Sequence, residues 1–418
     1  MIISRTPFRI SFAGGGSDLS SFYSQQMGAV LSTSINKYVY IAIHPFFDSR
    51  KIQLKYSKTE LVSSFDEIQH PIFKEVLKMS DLTGIDLNSI ADIPAGTGLG
   101  SSSAFTVGLL NAIYAYKYKA VGNEMLAKLA CEVEIERLKS PIGKQDQYAA
   151  ACGGLNLISF YPDETVNVEK IIMDPHKKQE LEDNLIMIYT GGTRSANSIL
   201  KEQNREILEK DKFNNQKAMV KLAFDLKRSL EDNNIDDFGQ YLHEGWLLKK
   251  TLTGSISNSF VDDIYDLGLK SGALGGKLLG AGGGGFILFY CPKGIQENFR
   301  KKMSQFTEID FRFDNYGYKN DIIVYFNKLK KTIDNISLEE LNALMNILVE
   351  AKDAGRTVFI MGNGGSSATA SHYVCDFNKG VSFEHNKKFK FVCLNDNIPS
   401  LMAYANDLSF EDIFIEQL

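Results

Sequence analysis

Three glycines within five residues, followed at once by three serines, constrain this chain more than any other segment: PAGTGLGSSSAF, Pro94–Phe105. Glycine loses more backbone freedom on folding than any other residue. A segment so rich in it must gain something in return. It follows NSIADI, the end of a strand pattern, and enters TVGLLNAIYAY, a helix pattern. A helix start presents unpaired N–H groups and the positive end of a dipole, so a glycine loop leading into one suits an anion. A Walker loop would place G-K-[ST] after its last glycine. Here Ser101 follows Gly100 and no lysine is present. Phosphate charge would therefore fall to main-chain N–H groups, helped by the hydroxyls of Ser101, Ser102 and Ser103, which can also face Mg²⁺. A tight strand-to-helix turn capped by serine would look similar.

Length and composition set the frame. The 418 residues suggest two or three domains, and 44% apolar with 23% charged residues describes an ordinary globular chain. The net charge is −5, with no long basic run, which argues against nucleic acid as a partner. The short basic groups LKKT (Leu248–Thr251) and NKLKK are read as solvated helix faces. Cys131, Cys152, Cys291, Cys375 and Cys393 are odd in number and form no C-x-x-C pair, so buried reduced thiols in a cytoplasmic protein are expected. The amino terminus is too charged for a signal peptide, and no apolar run approaches the roughly 20 residues of a membrane span.

Residues 1–165 have an α+β pattern. VLSTSINKYVYIAIHPF alternates as one or two strands, and Ala104–Tyr118 and Glu124–Leu138 are helical. Residues 166–330 start again, with NLIMIYTGG as a buried strand, Asn197–Leu230 as long helix, and GGKLLGAGGGGFILFYCP as a glycine loop entering an apolar strand. Lys328–Asn335 resembles a linker. Residues 336–418 begin a strand–glycine–helix unit, RTVFIMGNGGSSATASHYVCDF, and a second strand, KFKFVCLND.

Four blocks occur in order: PFRISFAGGGSDL, PAGTGLGSSSAF, GKQDQYAAACGG and KLLGAGGGG. Together, over residues 1–325, they resemble the GHMP kinases. The resemblance implies a ribosomal protein S5 domain 2-like N-terminal domain and a ferredoxin-like C-terminal domain, with ATP and Mg²⁺ as cofactors. It makes Pro94, Gly96, Gly98, Leu99, Gly100, Ser101, Ser102 and Ser103 the ATP-phosphate loop. Asp146 would be the general base and Arg9 its electrostatic partner, with a surface ion pair as the plainer reading of Arg9. Gly15, Gly16, Ser17 and Asp18 would meet the sugar, and Gly282 and Gly283 would pack beside it. For Mg²⁺ the resemblance points to Ser102 with Glu136 from CEVEIERLKSP, and Glu132, one turn earlier, stays open. GGGSD stands where galactokinase-like members carry a GEHTD-type block, which disfavours galactose. AGGGSDL and TGGTRSANSIL resemble the branch acting on heptose phosphates or fucose-like sugars at the anomeric position. Arg194 would meet a substrate phosphate or make a helix-cap ion pair.

GNGGSSATASHYVCDF, Gly362–Phe377, resembles the sugar isomerase (SIS) family, specifically the sedoheptulose 7-phosphate isomerases. That implies an incomplete α/β Rossmann-like segment, with Asn363, Gly364, Gly365, Ser366 and Ser367 holding a phosphosugar. His372 and Asp376, one turn apart, would be metal ligands, and a complete domain would hold Zn²⁺. The remaining ligands are expected beyond residue 418, and the segment could assemble between copies of the chain. Isomerase and heptose 7-phosphate kinase act in succession, which ties the two resemblances together. The expectation is a kinase making D-glycero-D-manno-heptose 1,7-bisphosphate from the 7-phosphate. An anomeric kinase for fucose or another hexose, or a non-catalytic sugar-phosphate sensor, are the alternatives. ATP and a sugar phosphate are the expected partners, with neither nucleic acid nor membrane.

Overall fold

The computed structural model describes residues 1–191, 196–317, 319–320, 332–362, 365–410 and 412–418. The alternating run Gly28–Pro45 is one unbroken strand of 18 residues. Its first eight residues are all buried, and from Asn36 onward mainly Val39, Ile41 and Ile43 turn inward. The change of pattern that suggested two strands therefore marks where cover on one face ends.

This long strand organises the first sheet. β1 (Ile2–Ala13) runs antiparallel beside β2 (Gly28–Pro45). β2 also pairs, in turn along its length, with β6 (Leu155–Phe160), β12 (Phe313–Asp314) and β5 (Ile85–Ala91). β3 (Ile52–Lys55) and β4 (Thr59–Val62) extend the sheet past β5, and β7 (Val166–Lys170) pairs with β6. β13 (Lys319–Asn320) pairs with β1. A second sheet has the order β11 (Thr307–Ile309), β8 (Leu185–Tyr189), β10 (Phe286–Tyr290), β9 (Gly275–Leu278), all antiparallel.

The expected division at 165/166 cuts the β6–β7 hairpin, and β12 and β13 return to the first sheet. Phe12 packs edge-on against Phe238 at 5.2 Å and against Phe313 at 6.2 Å between ring centres. Both sheets thus share one core, and residues 1–326 form a single compact unit. Asn197–Leu230, expected as one helix, is two, Ala196–Glu206 and Lys210–Glu231. Ile207, only 1% exposed, sits in the turn between them. The helical run after Asn123 changes character: α-helix through Cys131, then a π-turn over Glu132–Arg137.

Residues 327–418 form the other unit. The helix Leu338–Asp353 precedes β14 (Val358–Ile360), which pairs in parallel with β15 (Phe391–Cys393). The helix Gly365–Cys375 lies between them in sequence. Phe377 stacks on Phe391 at 4.4 Å and meets Phe389 edge-on, giving this unit a small core of its own. Among the described residues no helix is long and apolar enough to cross a membrane. None of the five cysteines is paired; Cys131, Cys291 and Cys393 are buried, whereas Cys375 is exposed.

Candidate active site

The helix Ser101–Tyr116 starts at Gly100, whose φ of +77° ends the loop, and no side chain caps it. Its first N–H groups therefore face the cavity beside them, the arrangement that accepts an anion. That cavity, of about 400 Å³, is lined by Gly96, Gly98, Gly100 and Ser101–Ser103 on one side and by Arg9, Gly15, Gly16 and Asp18 on another. Asp146, Glu134, Lys249, Lys277 and Gly282 also line it.

Residues far apart in sequence meet here. β1 carries Arg9, whose Nε and Nη2 donate to Asp146 Oδ1 and Oδ2 at 2.7 and 2.8 Å, and whose Nη1 donates to the Gly98 carbonyl at 2.6 Å. The Arg9 side chain is 5% exposed and that of Asp146 23%. This two-pronged geometry is the strong form of an ion pair, and removing one partner of such a buried pair costs about 3–5 kcal/mol. It excludes the plainer reading of Arg9 as a surface ion pair. Asp146 lies in the first turn of the helix Gln145–Cys152. A carbon added to Gly100 would lie 3.2 Å from Asp146 Oδ2, so the carboxylate stands against the last glycine of the loop.

Asp18 is 3% exposed and accepts from the Gly16 N–H at 3.0 Å, from the Gln145 N–H at 3.2 Å and from Gln145 Nε2 at 3.1 Å. Burial first, and then the nearby Asp146 charge, raise its pKa above the ordinary carboxylate value. Gly143 is required beside it, because a Cβ there would fall 1.9 Å from Asp18 Oδ2.

The structure corrects three expectations. Glu136 is exposed, and Glu132 is taken up by Arg137 at 2.7–2.9 Å. The carboxylate beside Ser102 belongs to Glu134, 1% exposed, which accepts from Ser102 Oγ at 2.5 Å and from Gln147 Nε2 at 2.8 Å. Glu134 lies on the same face as the buried Ala127 and Ala130 of the preceding helix, whereas Glu132 and Glu136 lie off it. Ser17 is fully buried, its hydroxyl donating to the Ala29 carbonyl and accepting the Ala29 N–H at 3.0 Å each, so it does not reach the cavity. Lys249, from LKKT, is not on a solvated face; it is 6% exposed.

The other expected residues divide by position. Leu99 points into the core, and its carbonyl accepts the Arg9 N–H at 3.1 Å. Pro94 is outside the cavity lining, its carbonyl accepting from Thr97 Oγ1 at 2.9 Å. Gly283 donates its N–H to Ile256 at 2.8 Å, behind the Gly282 and Gly284 that line the wall. Arg194, Asn363 and Gly364 lie outside the described residues. In the second unit Ser366, His372 and Asp376 are exposed and Ser367 is half-buried, while Gly365 opens a helix. Among the described residues no three His, Cys, Asp or Glu side chains gather to hold a metal.

Sequence reasoning missed Glu134, Gln203, Lys249 and Lys277. Lys277 stood in KLLGAGGGG and Glu134 in CEVEIERLKSP, both blocks already singled out, and their inward direction was the missing fact. Gln203 lines the cavity beside Gly16, 2% exposed, with its Nε2 buried and unpartnered.

Two family descriptions match the chain: GHMP kinases N terminal domain over residues 67–154, and GHMP kinases C terminal over residues 226–308. The D-glycero-alpha-D-manno-heptose 7-phosphate kinase of Campylobacter jejuni is 30% identical over 335 residues, covering 76% of this chain and 98% of that protein. The bifunctional fucokinase/GDP-fucose pyrophosphorylase of Arabidopsis thaliana is 25% identical over 338 residues, 74% of this chain but 32% of that protein. The crystal structure of a D-glycero-D-manno-heptose 1-phosphate kinase from Bacteriodes thetaiotaomicron superposes with a TM-score of 0.64 at 25% identity, covering 77% of this chain and 98% of that one.

Proposed function

Because this chain belongs to the GHMP kinases, a family of phosphotransferases, we propose that it moves the γ-phosphoryl group of ATP to the anomeric hydroxyl of D-glycero-D-manno-heptose 7-phosphate. The product would be the 1,7-bisphosphate. The observation that carries this reading is the Asp146 carboxylate standing against Gly100 at the start of an uncapped helix. A base and an anion cradle are thereby within one atom layer of each other. Phosphoryl transfer asks mainly for alignment and charge neutralisation.

The proposed roles follow from the contacts. The N–H groups after Gly100 hold the nucleotide phosphates. Asp146 takes the proton of the acceptor hydroxyl. Arg9 keeps that carboxylate oriented through its two bonds and couples it to Gly98 in the loop. Asp18, held by three N–H donors, accepts from sugar hydroxyls. Ser102 and Glu134 suit Mg²⁺, since a hydroxyl and one buried carboxylate beside a phosphate cradle are what that ion uses, the rest of its shell being phosphate and water. Burial raises the Glu134 pKa, so a bound cation would relieve a carboxylate otherwise costly to ionise. When bound, Mg²⁺ supplies charge neutralisation at the phosphates.

The heptose phosphate assignment is supported by the names of the Campylobacter and Bacteriodes relatives, and GGGSD in place of GEHTD points away from galactose. The plant relative named a fucokinase keeps one second reading open, an anomeric kinase for a six-carbon sugar. For residues 336–418 the reading is a partial phosphosugar isomerase segment, supported by the parallel β14–β15 pair and the strand–glycine–helix order. Purified protein with MgATP and a panel of free and phosphorylated sugars tests the first claim. Heptose 7-phosphate should give the highest kcat/KM. Preference for an unphosphorylated sugar would transfer the assignment to the second reading.

A further inference from the structure

Arg9 already uses three of its five N–H donors on Asp146 and Gly98, leaving one each on Nη1 and Nη2. The cavity holds two other cationic side chains, Lys249 and Lys277, 6% and 4% exposed. Lys277 Nζ donates to the Phe12 carbonyl at 3.0 Å. Lys249 Nζ donates to the Gly280 carbonyl and has no carboxylate partner among the described residues. Gly280 packs on the phosphate loop: a Cβ on it would fall 2.4 Å from Gly98 Cα. Arg9 and Lys249 therefore bond to carbonyls of two residues in contact, one from each side of the same glycine junction. An ammonium has three N–H donors, and one carbonyl leaves donors of Lys249 free in a cavity that also holds Asp146.

We propose that Lys249 is a further catalytic residue, whose ammonium meets the phosphoryl group as it passes from nucleotide to acceptor hydroxyl. This rests on the kinase reading above. The bond from the γ-phosphorus to the β,γ-bridging oxygen breaks and its electron pair leaves with ADP. The bond from the acceptor oxygen forms, and the acceptor proton goes to Asp146. Lys249 keeps its proton throughout and balances the charge spread over the three equatorial oxygens.

The surroundings of Lys249 make the role testable. Burial and the Arg9 charge lower its pKa to about 8, against a smaller pull from Asp18 and Asp146. Burial, and then the Lys249 and Arg9 charges, hold the Lys277 amine well below its ordinary value as well. Nucleotide phosphates would raise the Lys249 value again, so binding near pH 8 should draw in a proton. Calorimetry of Mg²⁺ with ATPγS in two buffers of different ionisation enthalpy at pH 8 should show uptake of about half a proton, absent in Lys249→Met. Turnover by Lys249→Met should fall about 10²–10³-fold in kcat with little change in KM. Lys249→Arg should keep partial activity and lose the alkaline limb of kcat/KM near pH 8. Nucleotide binding without proton uptake, or an unchanged limb in Lys249→Arg, overturns the role while leaving the kinase reading standing. Failure to bind nucleotide at all overturns both. Should Lys249→Met not fold, the wild-type uptake and the Lys249→Arg profile decide alone.

Discussion

At the scale of single residues, each carboxylate of the site is held by donors of its own. Asp146 is held by Arg9, Asp18 by three N–H donors, and Glu134 by Ser102 and Gln147. Replacing Asp146 with Ala should cut kcat about 10²–10⁴-fold and leave nucleotide affinity in place, as measured by single-turnover kinetics beside a binding titration. Equal turnover by the variant removes Asp146 from the chemistry. Lys277 affects stability with a definite sign. Its amine is held well below the ordinary 10.5 by burial and by Lys249 and Arg9. The unfolded chain thus binds a proton that the folded chain lacks over the interval up to 10.5, and stability rises with pH across it. Thermal melts of Lys277→Met should show a shallower rise of Tm than wild type as pH rises toward 10.5. A parallel rise in both proteins would mean the Lys277 amine is charged in the fold.

At the scale of elements, the site is made where loops touch rather than within any one of them. Gly98 has a φ of +89°, and a Cβ on it would lie 2.6 Å from the Leu279 carbonyl. Gly98→Ala should push the phosphate loop off the Gly280 turn, raising KM for ATP and lowering Tm; an unchanged KM would show that the two loops act independently. The glycine blocks were legible in the sequence because an anion cradle needs adjacent residues, and adjacency is what a sequence records. The strand Gly28–Pro45 was legible from its alternation. The inward Glu134 was not, since a carboxylate on the buried face of Ala127 and Ala130 makes sense only once its distant partners Ser102 and Gln147 are known. Nor was the break at Ile207, which is buried in the turn between the two helices.

At the scale of the molecule, residues 1–326 carry both sheets, the shared core and every residue to which a kinase role is assigned here. A chain ending at Phe326 should therefore keep kcat within about twofold of the full-length protein and melt cooperatively. Loss of activity on truncation would place part of the kinase machinery in the second unit. By itself the sequence determined which chemistry is at hand: the order of the four blocks, the glycine–serine loop and the Arg9 and Asp146 residue types are all local records. Only the tertiary structure decided which carboxylate faces Ser102 and that Lys249 is buried rather than solvated. The helix Phe238–Lys250 packs on β9 and β1, and the Glu132–Arg137 turn packs on the helices Pro71–Ser80 and Ser101–Tyr116; a side chain's direction is set by the surface it packs on, not by its neighbours in the sequence.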